Sequence, residues 1–297
     1  MTGSEEWILR RICRELHRQG RLNALYFENG GDLPRAEYYF FAHYSRLVQF
    51  LERSRRGGMR IVLFPHFEEH GKRTAADVVA AVRQADKVVC LSRSWKDWLV
   101  ERGLDEDKVG VALGGADPDQ FRYREHSDGA IGFVSKYYAR KNPDTILEIV
   151  RRMPDKRFML VGRGWAEYPR FRELCALPNF RFVEAEYVAY PTLYGQMDVF
   201  VSVSRVEGGP IPLLEAMMSN VVPVASRTGF APELIQDGEN GFLFDVDADV
   251  EAIIALVRRA FALRTNVRAT VAHLSWKNFV EQLLAFAAGE GWVPGGP

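Results

Sequence analysis

The stretch "VSVSRVEGGPIPLLEAMMSN" (residues 201–220) decides how this chain is read. With the residues before it, "DVFVSVS" (198–204) predicts a strand whose carboxyl end lies near Ser204. Two glycines follow, and a helix is expected to begin near Pro212, because proline suits the first helical turn. Residues 207–212 then form a strand-to-helix loop. The amides and positive dipole end of a helix N-terminus suit phosphate. Gly208 and Gly209 let a ligand approach the backbone, whereas Pro210 and Pro212 stiffen the loop and donate nothing. The remaining donors are Gly209, Ile211, Leu213 and Leu214. Glu207 stands before the loop and Glu215 about one turn into the helix. Glu215 is placed to accept from vicinal hydroxyls such as those of a ribose, and Glu207 from a sugar hydroxyl beyond a diphosphate. A lone glutamate would read as a helix cap or a solvated charge. Two of them around such a loop suit a ligand with sugar, diphosphate and nucleoside in line.

Outward from this stretch, strands alternate with helices, which predicts βαβ units and parallel sheets. The first half reads as a helix over "SEEWILRRICRELHRQG" and strands at "LNALYF", "EYYFFAHY", "RIVLFP", "KVVCLS" and "KVGVAL", with helices at "TAADVVAAVRQA" and "SWKDWLVERG". The polar segment "GGADPDQFRYREHSDGA" (114–130) interrupts the alternation and reads as a linker. The pattern restarts at "AIGFVS" and continues to a last helix, "SWKNFVEQLLAFAA". The expected organisation is an N-terminal domain over 1–122, a second α/β domain over 123–275, and a last helix and tail over 276–297 that cross back to the first.

Lys plus Arg and Asp plus Glu both number 39, so no whole-molecule field favours nucleic acid. Local basic runs at 10–21 and 52–60 read as solvated helix faces or as weak peripheral attraction to an anionic membrane surface. Three cysteines (Cys13, Cys90 and Cys175) have no metal-ligand spacing, and "MTGSEEW" does not read as a signal peptide. The expected location is cytoplasmic, with peripheral association at the inner membrane face as the second expectation.

"VSVSRVEGGPIPLLEAMMSN" followed by "PVASRTGFAPELIQDGENGFLF" resembles the donor-binding half of retaining glycosyltransferases of the family-4 type, which have the GT-B fold. That family carries a Glu-x7-Glu motif here. "ADKVVCLSRSWKDWLVERGLDEDKVGVALGGADPDQF", "IGFVSKYYARKNPDTILEIV" and "FMLVGRG" resemble the family's interdomain segment, diphosphate-binding segment and following glycine turn. The resemblance covers the chain from about residue 60 onward. It implies two Rossmann-like domains facing across a cleft, the N-terminal one compact: the family's first strand and glycine-rich loop are not visible.

The resemblance also implies roles. Lys136, where the family usually has Arg, and Lys141 would counter the donor diphosphate, with Arg140 a competitor for the second role. Glu207 would hold the donor sugar and Glu215 the ribose, with Gly208, Gly209, Ile211, Gly162 and Arg163 in the donor site. The family's Gly-Phe-Gly is replaced by Gly208, Gly209 and Pro210, and the proline removes one amide from the loop. His66, in "FPHFEEH", matches the family's strand-end histidine near the reacting carbon. His70 is the weaker match, and His43 an acceptor-side candidate.

The implied reaction moves a sugar from a UDP-, GDP- or dTDP-sugar to a hydroxyl of a glycan, a lipid-linked glycan or a small molecule, with retention. Neither a metal nor another cofactor is expected. "DVD" (245–247) resembles a metal-binding Asp-x-Asp, but Asp247 or Asp249 is better explained as a helix cap. The alternatives are a non-catalytic nucleotide-sugar-binding subunit, a nucleotide-sugar epimerase of the same fold and, last, a nicotinamide oxidoreductase. The oligomeric state is not legible.

Overall fold

A computed structural model describes residues 5–19, 34–53, 57–68, 74–125, 127 and 129–289. The chain divides into two compact units, 1–115 with 274–297, and 116–273.

The first unit contains, in chain order, α1 (Glu5–Gln19), β1 (Tyr38–Phe41), α2 (Tyr44–Arg53), β2 (Met59–Phe64), α3 (Ala75–Val82), β3 (Lys87–Cys90), α4 (Arg93–Val100) and β4 (Val109–Val111). Among the described residues its sheet has the order β1-β2-β3-β4, all parallel, with Phe41 opposite Val62, Phe64 opposite Cys90 and Cys90 opposite Val111. Parallel strands are covered on both faces, so "RIVLF" is apolar without alternation. Val62, Phe64 and Cys90 are fully buried with Leu47 of α2. The expected strand "EYYFFAHY" is corrected by this arrangement. It ends at Phe41, and the chain turns into α2 at Tyr44, where Tyr44 and Leu47 fall on one buried helical face. The expected strand at "LNALYF" and His70 lie outside the described residues.

In α1, Glu15 pairs with Arg11 at 3.5 Å and Arg18 at 2.9 Å, so part of the basic run is neutralised on its own helix. The last helix, Trp276–Ala288, belongs to this unit. Ser275 caps it by accepting from the Asn278 amide at 3.2 Å, and the Arg11 guanidinium lies 6.0 Å from the Trp276 ring. Phe286 fills the space beside Gly110 of β4, where a Cβ would come within 3.0 Å of the ring.

The second unit contains β5 (Ala130–Val134), α5 (Pro143–Arg152), β6 (Phe158–Val161), α6 (Phe171–Cys175), β7 (Phe180–Val183), α7 (Tyr190–Tyr194), β8 (Met197–Ser202), α8 (Ile211–Met218), β9 (Val222–Ser226), α9 (Ala231–Leu234), β10 (Phe242–Phe244) and α10 (Val250–Ala260). Its parallel strands run β10-β9-β8-β5-β6-β7. The chain starts in the middle at β5, winds outward through β6 and β7, and returns to β8 on the other side. The strand order therefore reverses between β5 and β8, and ligands of open α/β sheets bind outside the carboxyl ends at such a point. The polar segment after residue 115 is bound to this unit. Arg268 donates to the carbonyls of Phe121, Met218 (2.6 Å) and Pro118 (2.8 Å), and Arg124 pairs with the buried Asp198 at 2.7 Å. No helix of the described residues is long and apolar enough to cross a membrane.

Candidate donor-binding site of the second unit

The reversal between β5 and β8 brings two loops together. After β5, the chain forms a short 3-10 turn (Ala139–Lys141), takes a left-handed conformation at Asn142 (φ 55°) and enters α5 at Pro143. After β8, it runs through Glu207, Gly208, Gly209 and Pro210 into α8. The Arg205 amide donates to the Arg140 carbonyl at 2.7 Å, which ties the loops by their backbones. A cavity between the strand ends is lined by Ser135, Lys141, Ser202, Ser204, Glu207 and Pro210, among others.

Lys141 and Glu207 meet here in a short ion pair, although 66 residues separate them. Both are well enclosed, with Glu207 only 6% exposed. Burial pushes the Glu207 carboxyl up, but Lys141 and then Arg140 outweigh it and hold the group below its ordinary value. Glu207 is therefore an ionised, buried acceptor at neutral pH.

Glu215 is 2% exposed and projects from the second turn of α8. Tyr187 donates to its Oε1, and Tyr194 approaches Oε2 at 3.1 Å, so the carboxylate is oriented from two sides. Tyr187 packs on Tyr190 and Phe121 with ring centroids 5.3 and 6.2 Å apart. Burial and then the Glu215 charge push the Tyr190 hydroxyl up to about 12, and the same causes raise that of Tyr194 further. Tyr194 therefore stays protonated and acts as a donor. Tyr187 and Tyr194 precede Glu215 by 28 and 21 residues, and nothing in the local pattern of the sequence announces them.

The start of α8 has no side-chain cap, with Pro210 in the capping position. First-turn amides have no intrahelical partner. That of Leu213 donates to the Pro210 carbonyl at 2.8 Å and Pro212 has none, which leaves Ile211 and the glycines before it. Gly208 is buried against Gly229, itself at φ +53°, where a Cβ would come within 2.7 Å of the Gly208 carbonyl.

Gly162 has a steric role. A Cβ there would lie 1.8 Å from the Ser135 carbonyl, and its amide donates to the Val183 carbonyl at 3.0 Å. Trp165 donates to that same Ser135 carbonyl at 2.8 Å. Arg163 is exposed and pairs with Glu186. Lys136 lies along Gly164, with its ammonium 5.4 Å from the Tyr138 ring.

His66 and His43 are in the first unit, two residues past β2 and β1. His43 Nδ1 accepts from the Ser45 amide at 3.2 Å. Asp249 caps α10 by accepting from the Ala252 amide at 2.7 Å, and Asp245 pairs with Arg227 at 3.3 Å. Among the described residues, no group of three or more His, Cys, Asp or Glu side chains is arranged to hold a metal. Cys90 is fully buried, and burial pushes its thiol, like that of Cys13, upward.

Residues 128–262 match the family of glycosyl transferases group 1. This segment is a group 1 glycosyltransferase domain. Over 244 residues the chain is 30% identical to a GDP-mannose-dependent alpha-(1-6)-phosphatidylinositol monomannoside mannosyltransferase of Mycolicibacterium smegmatis, covering 68% of this chain and 61% of that protein. The chain spans between 25% and 61% of the length of the curated relatives it matches. Among solved structures, it is similar to the sucrose-phosphate synthase of Thermosynechococcus elongatus (TM-score 0.78, 16% identity, 97% of this chain and 93% of that one). It is also similar to Anabaena Alr3699/HepE in complex with UDP-glucose (TM-score 0.70, 17% identity, 85% and 78%). At these identities the likeness establishes the fold, which is that of the GT-B glycosyltransferases.

Proposed function

We propose that this glycosyltransferase moves a sugar, with retention and without a metal, from a nucleotide-diphosphate donor to an acceptor hydroxyl. The observation that carries the reading is the buried Lys141–Glu207 pair at the reversal of strand order, followed in α8 by an oriented Glu215. Glu215 would accept from the two ribose hydroxyls. Glu207, kept ionised, would accept from a hydroxyl of the donor sugar and fix its reacting carbon. Basic side chains after β5 and the uncapped start of α8 would take up the charge of the departing diphosphate, the service a metal gives elsewhere. The acceptor oxygen forms its bond to the anomeric carbon as the bond to the diphosphate breaks. A leaving-phosphate oxygen takes the acceptor proton on the same face, so no protein nucleophile is required.

A relative dependent on GDP-mannose and a structural neighbour holding UDP-glucose make these two nucleotides the first donors to try. A thermal-shift screen with UDP, GDP, dTDP and their sugars is expected to raise the melting temperature with one base. A ligand at a hundred times its Kd stabilises by about 2.7 kcal/mol. No shift with any of them would sink the reading. For the nucleotide that binds, transfer requires an acceptor, gives a product with the donor's anomeric configuration and survives EDTA. Conversion of the donor alone into another nucleotide-sugar would favour the epimerase. Binding with neither transfer nor hydrolysis would favour the non-catalytic subunit.

A further inference from the structure

The two acids of the donor site differ in access. Glu207 lines the cavity at the strand ends, but Glu215 lies outside it and is only 2% exposed. A ribose cannot reach Glu215 until something moves, and its two tyrosine partners differ in how readily they can. Tyr194 is fully buried at the end of α7, and its hydroxyl also lies 3.1 Å from the Pro212 carbonyl. Tyr187 is half-buried. It belongs to a 3-10 turn of three residues (Tyr187–Ala189), in which the Ala189 amide donates to the Glu186 carbonyl at 2.9 Å. Its neighbour Val188 is 82% exposed, so this turn lies at the surface. A part-exposed side chain changes rotamer quickly, whereas a buried one is held by its packing.

We infer that Tyr187 is a latch on Glu215: its hydroxyl stands on Oε1 in the place of a ribose hydroxyl and leaves when the nucleotide arrives. This rests on the nucleotide-sugar reading of the site. A buried carboxylate oxygen without a hydrogen bond is costly, so the empty protein needs a donor there, and Tyr187 supplies it. The exchange is hydroxyl for hydroxyl. The phenol's bond to Oε1 breaks, and a ribose hydroxyl donates to the same oxygen. The second ribose hydroxyl adds to the carboxylate, whose oxygens each accept more than one bond. Tyr194 stays and keeps the carboxylate aimed. A ligand that brings phosphate but no ribose offers nothing to Oε1 and leaves the latch shut. Tyr187 therefore weakens the binding of every nucleotide by the bond that must be given up, and it reserves Glu215 for ligands that carry a nucleoside.

The test is calorimetric titration of the whole chain with UDP, GDP, dTDP and pyrophosphate, in the wild-type protein and in Tyr187→Phe, which loses the hydroxyl and keeps the ring. The variant is expected to bind the preferred nucleotide about tenfold more tightly, the size of one hydrogen bond to a charged group, and to bind pyrophosphate no better than the wild type. Tyr187→Leu serves if the phenylalanine variant fails to fold. A tyrosine that stays on Glu215 in the bound state, as a support for the carboxylate, gives the opposite sign. Weaker or unchanged nucleotide binding in the variant therefore overturns the latch, as does an equal gain for pyrophosphate. Fluorotyrosine at position 187 gives a second readout. Its fluorine resonance is expected to shift on addition of the nucleotide and to stay in place with pyrophosphate, and a resonance that ignores the nucleotide overturns the latch as well. If none of the three nucleotides binds wild type or variant, the nucleotide-sugar reading falls and the latch with it. If the wild type binds one and Tyr187→Phe gains nothing, the latch falls alone.

Discussion

The loop that leads into α10 and the loop that leads into α8 both follow a strand of the same sheet and both carry acidic residues, but only the first uses one on its own helix. Asp249 accepts from the Ala252 amide and closes the end of α10, with Asp245 held by Arg227. At α8 the capping position is Pro210, which offers no side-chain cap, and the two glutamates are turned to other partners: Glu207 to Lys141, Glu215 to two tyrosines. One helix end is closed by its own side chain, and the other is not.

The contrast is broken most severely at Glu207. Glu207→Ala is expected to lower turnover by about 10²- to 10³-fold, the cost of losing one oriented contact in the transition state. Donor binding in a folded variant, checked by calorimetry, separates this from collapse. Next comes Lys141→Met, which takes the ion-pair partner from a buried carboxylate and costs about 3 kcal/mol at pH 7 in urea denaturation. The pH dependence follows from the depressed Glu207 carboxyl. Its stabilisation is complete above the ordinary carboxylate value and is lost as pH falls toward the lower native one. The gap between wild type and variant therefore closes below about pH 4. Pro210→Asp makes the start of α8 resemble that of α10. A carboxylate there competes with the ligand, and nucleotide-diphosphate affinity drops by about tenfold, read by the same titration. The smallest effect belongs to Asp249→Ala, about 1 kcal/mol of stability with nucleotide affinity unchanged.

The βαβ alternation, the loop at Glu207–Pro212 and the cap at Asp249 are legible because each depends on neighbours in sequence. The start of α2 was hidden. The aromatic run "YYFF" continues into "AHY", and the change of period from two to 3.6 falls inside it, so Tyr44 reads as strand until Leu47 and Phe50 are seen to share its helical face. The ion pair of Lys141 with Glu207 is made by the strand reversal, which places residues 66 apart side by side. Tyr187 and Tyr194 are ordinary aromatic residues until Glu215 is set between them.

The hydrogen bond from the Arg205 amide to the Arg140 carbonyl makes one proton a reporter for both loops. That amide can exchange with solvent only when the stitch between them opens. Its exchange rate therefore times the parting of the Glu207 loop from the cations after β5. A donor that bridges the two loops should slow this exchange, and a nucleoside monophosphate should slow it less.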